Sequence, residues 1–301
     1  MSAPEEGEQR KGLLLAFLAF SLWGLSVLFW PLLAPASAIE VLLHRVVWAF
    51  VFVAIIMSVA RLWPRMRGLP RRTWMLVAAA GALNAANWGL FIFAVMSQQI
   101  VGASMAYFLN PIASAAIGMI VLRERVRATR VAALAIGLGA VAVTGIASQG
   151  NPLLPLLMAT CFGFYALVQR VIPLGAVETL AGESALLTPV ALAGLVILQI
   201  TGVATLFAMG TGHFLLFVAG GLVTLLPLLA FGAAARRVPL STMAVMQYVA
   251  PIIQFLVGVF IAQEPMPAAR WVGFGLVILA VVVFTSGELG RRRYRAEPVG
   301  D

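Results

Sequence analysis

The chain repeats itself with an offset of 140 residues. Identical residues recur at this spacing in both halves, which consist largely of long apolar stretches. The matched pairs are Gly81 and Gly221, Phe91 and Phe231, Ala94 and Ala234, Pro111 and Pro251, Ile112 and Ile252, Gly118 and Gly258, Glu124 and Glu264, and Arg130 and Arg270. Because many transporters are built from a duplicated membrane unit, the repeat predicts the fold and the class of function together.

Composition assigns the apolar stretches to a membrane. Hydrophobic residues make up 62% of the chain and charged residues 10%, whereas a soluble domain carries about 25% charged residues. Apolar runs of about 20 residues cross a bilayer as helices. The longest polar segment, 61–73, is too short to fold alone, so we expect the protein to act within the membrane or at its faces.

The apolar runs predict ten transmembrane helices. The first run is too long for the hydrophobic part of a signal peptide. The repeat also requires it as a span, so we expect no cleavage after the small residues at 34–38. The predicted spans are 12–33, 41–60, 74–95, 100–122, 131–147, 153–171, 180–200, 213–235, 242–262 and 271–287.

The basic residues predict the orientation of these spans. The net charge is +9, and in a membrane chain we interpret it by the positive-inside rule rather than as a nucleic-acid surface. With a cytoplasmic N-terminus, all but Arg45 and Arg270 of the 20 Lys and Arg residues lie at the cytoplasmic face. Each half has an odd number of spans, so the second half enters the membrane from the opposite side. We predict an all-α integral membrane protein of two inverted five-helix repeats, 1–147 and 148–301, with both termini cytoplasmic.

Spans 3, 4, 6 and 9 each gather polar and aromatic side chains on one helical face, at spacings of three and four. Such side chains are costly in hydrocarbon, so they face the bundle interior or a water-filled cavity. The alternative is hydrogen bonding between helices without any ligand. Asn84, Phe91, Cys161 and Gln169 lie on these faces. As residues that contact a solute we select Asn87, Trp88, Tyr107, Asn110, Tyr165, Gln247 and Tyr248.

Two prolines interrupt matched positions of the repeat. Pro111 and Pro251 each remove one backbone hydrogen bond near the middle of a span and free the carbonyl four residues earlier. Matched interruptions in two halves point to a transporter's binding site. We predict a kink at both prolines with a role in gating, and further kinks at Pro189 and Pro227.

The strongest polar outliers are His44 and Arg45 in span 2 and Glu183 in span 7. Three interpretations stay open for them. Arg45 anchors the helix by pairing with a helix-end carbonyl or a lipid headgroup, or it binds an anionic group of the substrate. In the third interpretation His44 or Glu183 carries a coupling proton. We interpret Glu124 and Glu264 as interfacial charges that pair with nearby arginines.

These motifs resemble the EamA-type, ten-helix branch of the drug/metabolite transporter superfamily. The run ASMAYFLNP at 103–111 has its echo in STMAVMQYVAP at 241–251. Within that branch, LHRVVW at 43–48, NWGLFI at 87–92 and QYVAP at 247–251 are similar to the RarD group. The resemblance implies a bacterial inner-membrane permease with inverted five-helix repeats. Members of the family commonly export amino acids, metabolites or drugs.

We therefore expect a secondary transporter that works by alternating access, exports a small amphiphilic solute and uses no cofactor. Few fixed charges favour a neutral or zwitterionic solute with an apolar part. The phosphate-binding motif GxxxxGK[ST] is absent, so ATP does not drive transport directly. The expected partners are the solute and membrane lipid, and nucleic acid is not among them. The alternatives are a sensor or assembly partner without transport, a channel, and an intramembrane enzyme, which the two widely separated histidines disfavour.

Overall fold

The computed structural model describes residues 3–122, 128–147 and 153–296, which form helices and the loops that join them. Short 3₁₀ turns at Trp30–Leu33 and Trp63–Met66 follow the first two helices, and a π-helical turn lies at Val257–Ile261. The α-helices are α1 (Ala3–Phe29), α2 (Ala38–Val59), α3 (Arg71–Met96), α4 (Ile100–Leu122), α5 (Ala128–Ala147), α6 (Leu153–Gln169), α7 (Ala176–Ile200), α8 (Gly210–Ala235), α9 (Leu240–Met246), α10 (Val249–Leu256) and α11 (Ala268–Ala296).

The helices correspond to the ten predicted spans. Seven of the described helices are long and apolar enough to cross a membrane, and shorter apolar helices cover 131–144, 153–169 and 249–261. Large apolar side chains such as Val59, Ile120 and Ile200 are exposed on the outside of the bundle. An apolar exterior of this extent requires lipid as its solvent. The chain is therefore a multi-pass membrane protein.

The ninth span differs from the single helix predicted at 242–262. Helix α9 ends at Met246, and Gln247 and Tyr248 keep right-handed helical dihedral angles but tighten the helix by a bond from Tyr248 N–H to the Val245 carbonyl before α10 begins at Val249. Pro251 lies in the first turn of α10, where backbone N–H groups have no acceptor within the helix.

The first half has no such break. Helix α4 runs without interruption through Pro111, and α7 and α8 likewise continue through Pro189 and Pro227. The matched prolines therefore occupy different local structures in the two halves of the chain.

Most of the main helix contacts have an equivalent contact, formed by the helices that occupy the corresponding positions in the other half. Helix α1 packs against α8 as α3 packs against α6, and α2 packs against α8 as α3 packs against α7. The contact between α4 and α6 has its counterpart in that between α1 and α10. Helix α2 meets α7, α4 meets α10 and α5 meets α11, which are contacts between corresponding helices of the two halves.

Two glycines that match in the repeat lie at close approaches between helices of the two halves. A Cβ atom on Gly221 of α8 would lie 2.7 Å from both the carbonyl carbon and the Cβ atom of Trp48 in α2. A Cβ atom on Gly81 of α3 would lie 3.3 Å from the Cβ atom of Glu183 in α7. Small residues let membrane helices pack backbone against backbone, so Gly81 and Gly221 each permit one of the contacts between the halves.

Two buried glutamates fix loops to the ends of α2 and α7. Glu40, in the first turn of α2, accepts hydrogen bonds from the backbone N–H (2.6 Å) and the hydroxyl (3.1 Å) of Thr205. The same hydroxyl lies 2.9 Å from Nε2 of His213, whose side chain is buried. Glu178, in the first turn of α7, accepts from Nη1 of Arg65 at 3.0 Å. The α7–α8 loop is thus held by α2, and the α2–α3 loop by α7.

Glu264 caps the N-terminus of α4. Its carboxylate accepts from the backbone N–H groups of Ile100 and Val101, the latter at 3.1 Å, and it lies 3.9 Å from Nη1 of Arg270. Burial raises the pKa of Glu264, while the two N–H groups and Arg270 oppose that rise. The predicted pairing with Arg270 is confirmed, and the helix cap is an addition to it. The corresponding prediction for Glu124 lies outside the described residues.

Candidate functional site

Arg45 lies inside the bundle against an aromatic ring. Its side chain is 6% exposed, and its Cζ atom lies 3.9 Å from the centroid of the Trp88 ring. This geometry is a cation–π contact. Within the described part of the chain, Nε has no hydrogen-bond partner and the guanidinium has no ion pair. The anchoring interpretation requires a helix-end carbonyl or a lipid headgroup as the partner of Arg45. No such carbonyl bonds to it in the described part of the chain, and its burial keeps it from the outer surface of the bundle.

An aromatic wall extends from this contact. The Trp88 ring meets Trp30 edge-on at 6.2 Å and Phe91 at 5.4 Å between centroids. Phe91 in turn meets Tyr107 at 5.4 Å. The wall combines the turn after α1 with α3 and α4, so it presents apolar ring surface beside the cation of Arg45.

A buried carboxylate completes the charged part of the site. Glu183 is 2% exposed, and its two oxygens accept from the side-chain amides of Gln169 at 2.9 Å and Asn84 at 3.0 Å. The amide of Gln169 also donates to the hydroxyl of Tyr165 at 2.7 Å. Glu183, Tyr107 and Tyr165 all lie in the neighbourhood of Arg45. Hydrogen bonds to two donors are what a buried carboxylate requires.

Helix α3 organises this cluster through one face. Asn84, Trp88 and Phe91 follow at spacings of four and three, which align them along a single stripe of the helix. Successive turns of that stripe contact Glu183 of α7, Arg45 of α2 and Tyr107 of α4. The site therefore lies where α2, α3, α4, α6 and α7 meet, and α2 and α7 supply its charges.

Five of the sequence-predicted residues converge there: Arg45, Trp88, Tyr107, Tyr165 and Glu183. Asn87 instead donates to the backbone carbonyl of Met158 in α6 at 2.8 Å, inside the core. This bond is the helix-to-helix role that the sequence left as an alternative.

The other predicted residues lie elsewhere in the bundle. Tyr248 stacks on Phe108 at 6.0 Å in the core that joins α4 to α5 and α11. Asn110 is buried, and its Oδ1 has no partner among the residues that the structure describes. Gln247 lies half-buried in the break between α9 and α10. The ring of His44 packs 4.2 Å from that of Phe217.

The sequence-based selection omitted four residues of the cluster: Asn84, Phe91, Gln169 and Trp30. Asn84 lies four residues before Trp88, and Gln169 lies four residues after Tyr165. The helical spacing that selected Trp88 and Tyr165 therefore also marked Asn84 and Gln169. Trp30, in the short turn after α1, carried no comparable signal.

Replacing Asn87 by leucine is expected to destabilise the protein without changing solute kinetics. Hydrogen bonds between membrane helices contribute about 0.6 kcal/mol on average and about 1.7 kcal/mol at most, so the loss should fall in that range. Thermal unfolding in detergent measures the stability, and initial transport rates measure the kinetics. A change of KM in a variant of near-normal stability would instead indicate that Asn87 contacts the solute.

Comparison with known proteins agrees with a transporter fold. The EamA-like transporter family matches residues 10–146. The protein RarD of Streptomyces exfoliatus is 44% identical over 97% of this chain and 93% of its own length. An uncharacterized transporter of Vibrio cholerae is 34% identical, over 94% of each chain. One crystal structure, 18% identical, shares the fold with a TM-score of 0.58 over 93% of this chain and 98% of its own.

An apolar helical bundle with a buried charged cluster, together with these matches, defines a membrane protein of the transporter class. The chain belongs to the EamA-like transporter family, and its relatives place it with the RarD proteins of that family. The family and its members are transporters and not enzymes. A small-molecule solute and a membrane environment follow from this membership.

Proposed function

We propose that the chain is a secondary transporter that exports a small amphiphilic solute across the bacterial inner membrane by alternating access. The solute class is an amino acid, a metabolite or a drug. The observation that carries the proposal is the buried cluster of Arg45, Trp88 and Glu183 within a lipid-facing bundle. Ionisable residues inside a membrane bundle are costly and mark pathways for substrates or ions.

The proposed architecture is a pair of inverted five-helix repeats, residues 1–147 and 148–301, with both termini cytoplasmic. The paired helix contacts support it, because they exchange with one another when the halves are exchanged. The basic residues support the orientation through the positive-inside rule. Alternating access then follows as a movement of one half against the other around a central site.

In this proposal the solute contacts Arg45, Trp88, Tyr107 and Tyr165, and the aromatic wall receives its apolar part. Asn110, Gln247 and Tyr248 join the site as the halves move, because α4 packs against α10 next to the helix break. The break before Pro251 is the hinge, and Pro111 supplies the weak point on the opposing helix. Asn87 is assigned to helix pairing, and His44 keeps a gating role through its contact with Phe217.

Counterflow in proteoliposomes tests the transport function directly. Purified protein is reconstituted, vesicles are loaded in turn with unlabelled amino acids, organic acids and drugs, and entry of the labelled compound is followed. A transporter gives a transient, saturable accumulation for at least one compound. A sensor or assembly partner gives none, and a channel gives flux without saturation or counterflow, so either pattern would overturn the proposal.

The buried Glu183 is proposed as the carrier of a coupling proton, so replacing it by glutamine is expected to abolish the pH dependence of transport. The amide oxygen can still accept a hydrogen bond from Asn84 or Gln169, but the side chain no longer exchanges a proton. Transport rates between pH 5.5 and 8.5, measured with and without an imposed proton gradient, give the profile. A variant that keeps the normal pH profile would show that Glu183 is not the proton carrier, and the same series on His44→Gln would then test the remaining histidine.

A further inference from the structure

Arg45 carries a buried charge that the described side chains do not neutralise by direct contact. Its side chain is 6% exposed and its Nε is buried without a partner. Across 3–122, 128–147 and 153–296, Arg45 belongs to none of the ion pairs, and its Nε has no hydrogen-bond acceptor. Leaving a buried charge unpaired is strongly unfavourable, so the arrangement indicates a group that the chain itself does not contain.

The contact with Trp88 leaves the hydrogen-bonding edges of the guanidinium available. Cζ of Arg45 lies over the Trp88 ring, 3.9 Å from the ring centroid. The indole ring offers no oxygen or nitrogen acceptor, so this contact satisfies none of the five N–H donors, which form the planar fork of the guanidinium. A planar fork of this kind matches the two oxygens of a carboxylate.

Glu183 does not fill that place. Both of its oxygens are engaged by the amides of Asn84 and Gln169, at 3.0 and 2.9 Å. Glu183 lies in the neighbourhood of Arg45 but forms no ion pair with it in the described part of the chain. The chain's own carboxylate is therefore bonded to two amides and not to the arginine. His44, the adjacent residue, packs its ring on Phe217 and offers no negative charge.

We propose that the transported solute carries a carboxylate, which binds the in-plane N–H groups of Arg45. Its apolar or aromatic body packs against Trp88 and Tyr107. This inference rests on the proposed transport function and narrows its solute to carboxylic acids and amino acids. Purely cationic and uncharged compounds are expected to bind much more weakly, because they do not neutralise the charge of the guanidinium.

Thermal unfolding in detergent with pairs of compounds that match in shape but differ in charge tests the proposal. The probes are butyrate with butyramide, phenylacetate with phenylacetamide, indole-3-acetate with its amide, and phenylalanine with its amide. A ligand that binds only the native state raises the unfolding midpoint in a concentration-dependent way. We expect at least one carboxylate to do so and its amide to fail. Chloride, sulfate and phosphate are run alongside to detect a site for simple inorganic anions.

The variant Arg45→Gln is expected to weaken the apparent Kd for that carboxylate at least about thirtyfold, as loss of one partner of a buried charge pair does. Arg67→Gln, which changes an exposed arginine, is the matched control and should keep the shift. Without ligand, Arg45→Gln should unfold at or above the normal midpoint, because it removes a charge that the fold does not pair. A lower midpoint would identify a structural arginine and count against the proposal.

Several results would overturn the proposal. They are equal shifts from carboxylate and amide, a shift that survives Arg45→Gln, stabilisation by inorganic anions alone, and no shift from any carboxylate. If Arg45→Gln does not fold, the comparison of acid with amide on the normal protein decides alone. Counterflow distinguishes the failure of this proposal from the failure of the proposed transport function. Flux of an uncharged solute would contradict the carboxylate proposal and support transport. Binding of a carboxylate without any flux would contradict the transport function.

Discussion

Replacing Trp88 by alanine is expected to reduce the kcat/KM of transport at least about thirtyfold, the size of effect seen when a central aromatic anchor is removed. The change removes the ring that covers Arg45 at 3.9 Å and breaks the edge-on contacts with Trp30 and Phe91. It therefore takes away the cation–π contact and the apolar surface together. Initial rates in proteoliposomes, normalised to folded protein, give the effect.

A second tryptophan separates this loss from a general effect of truncation. Trp271 in α11 is 50% exposed on the outside of the bundle, so Trp271→Ala should leave transport kinetics near normal. Trp88→Phe keeps a ring over the guanidinium and should recover part of the activity. Normal transport kinetics in a well-folded Trp88→Ala protein would show that the Arg45–Trp88 contact takes no part in solute binding.

Replacing Gly221 by alanine is expected to cost about 1–3 kcal/mol of stability, the usual range for overpacking. The new Cβ atom would meet the Trp48 backbone and Cβ at 2.7 Å and the Phe52 ring at 2.9 Å, so α8 must move away from α2. Because Trp48 is contacted through its backbone, rotation of its side chain cannot relieve the clash. Thermal and denaturant unfolding in detergent measure the loss.

A glycine series gives this prediction its controls. Gly81→Ala places its Cβ at 3.3 Å from Glu183 and should be less costly than Gly221→Ala. Gly232, in the same helix as Gly221, has no heavy atom within 4 Å of an added Cβ. Alanine at Gly232 should therefore be neutral or stabilising by about 0.5–1 kcal/mol, since glycine is a poor helix former. Equal losses at Gly221 and Gly232 would contradict the close approach of α8 to α2.

The positions of the helices could be predicted because the bilayer imposes a simple rule on the sequence. Apolar runs of sufficient length had to become helices, and these helices form a bundle with an apolar exterior. Arg45 and Glu183 stood out for the same reason, as charges where hydrocarbon penalises them. Both proved to be buried close to the aromatic wall.

The partners of these residues could not be predicted, because periodicity assigns a residue to a helix face but does not say which helix that face meets. The sequence predicted polar faces on spans 3, 4, 6 and 9. The observed cluster instead takes its charges from α2 and α7. Asn87 and Trp88 are consecutive residues of α3 and both were selected from the sequence, yet Asn87 bonds to α6 while Trp88 covers Arg45.

The break in the ninth span was hidden for a related reason. Hydropathy is continuous across 242–262, and an apolar helix and an apolar turn have the same composition. The break becomes visible only in backbone hydrogen bonding, where the N–H of Tyr248 bonds three residues back, to Val245, at 3.2 Å. Pro251 marked the region, but the same residue type at Pro111 lies in an uninterrupted helix.

The most direct test of a central site with alternating access is the reactivity of one introduced thiol from each side of the membrane. Cys161 is the single cysteine of the chain, so Tyr107→Cys in a Cys161→Ser background gives one reporter beside the aromatic wall. A membrane-impermeant thiol reagent is applied to intact cells and to inside-out vesicles, with Cys161→Ser alone as the blank. Alternating access to a central site predicts that the thiol reacts from both faces. Prior labelling from one face should then block labelling from the other. A thiol that reacts from one face only, or from neither, would contradict it.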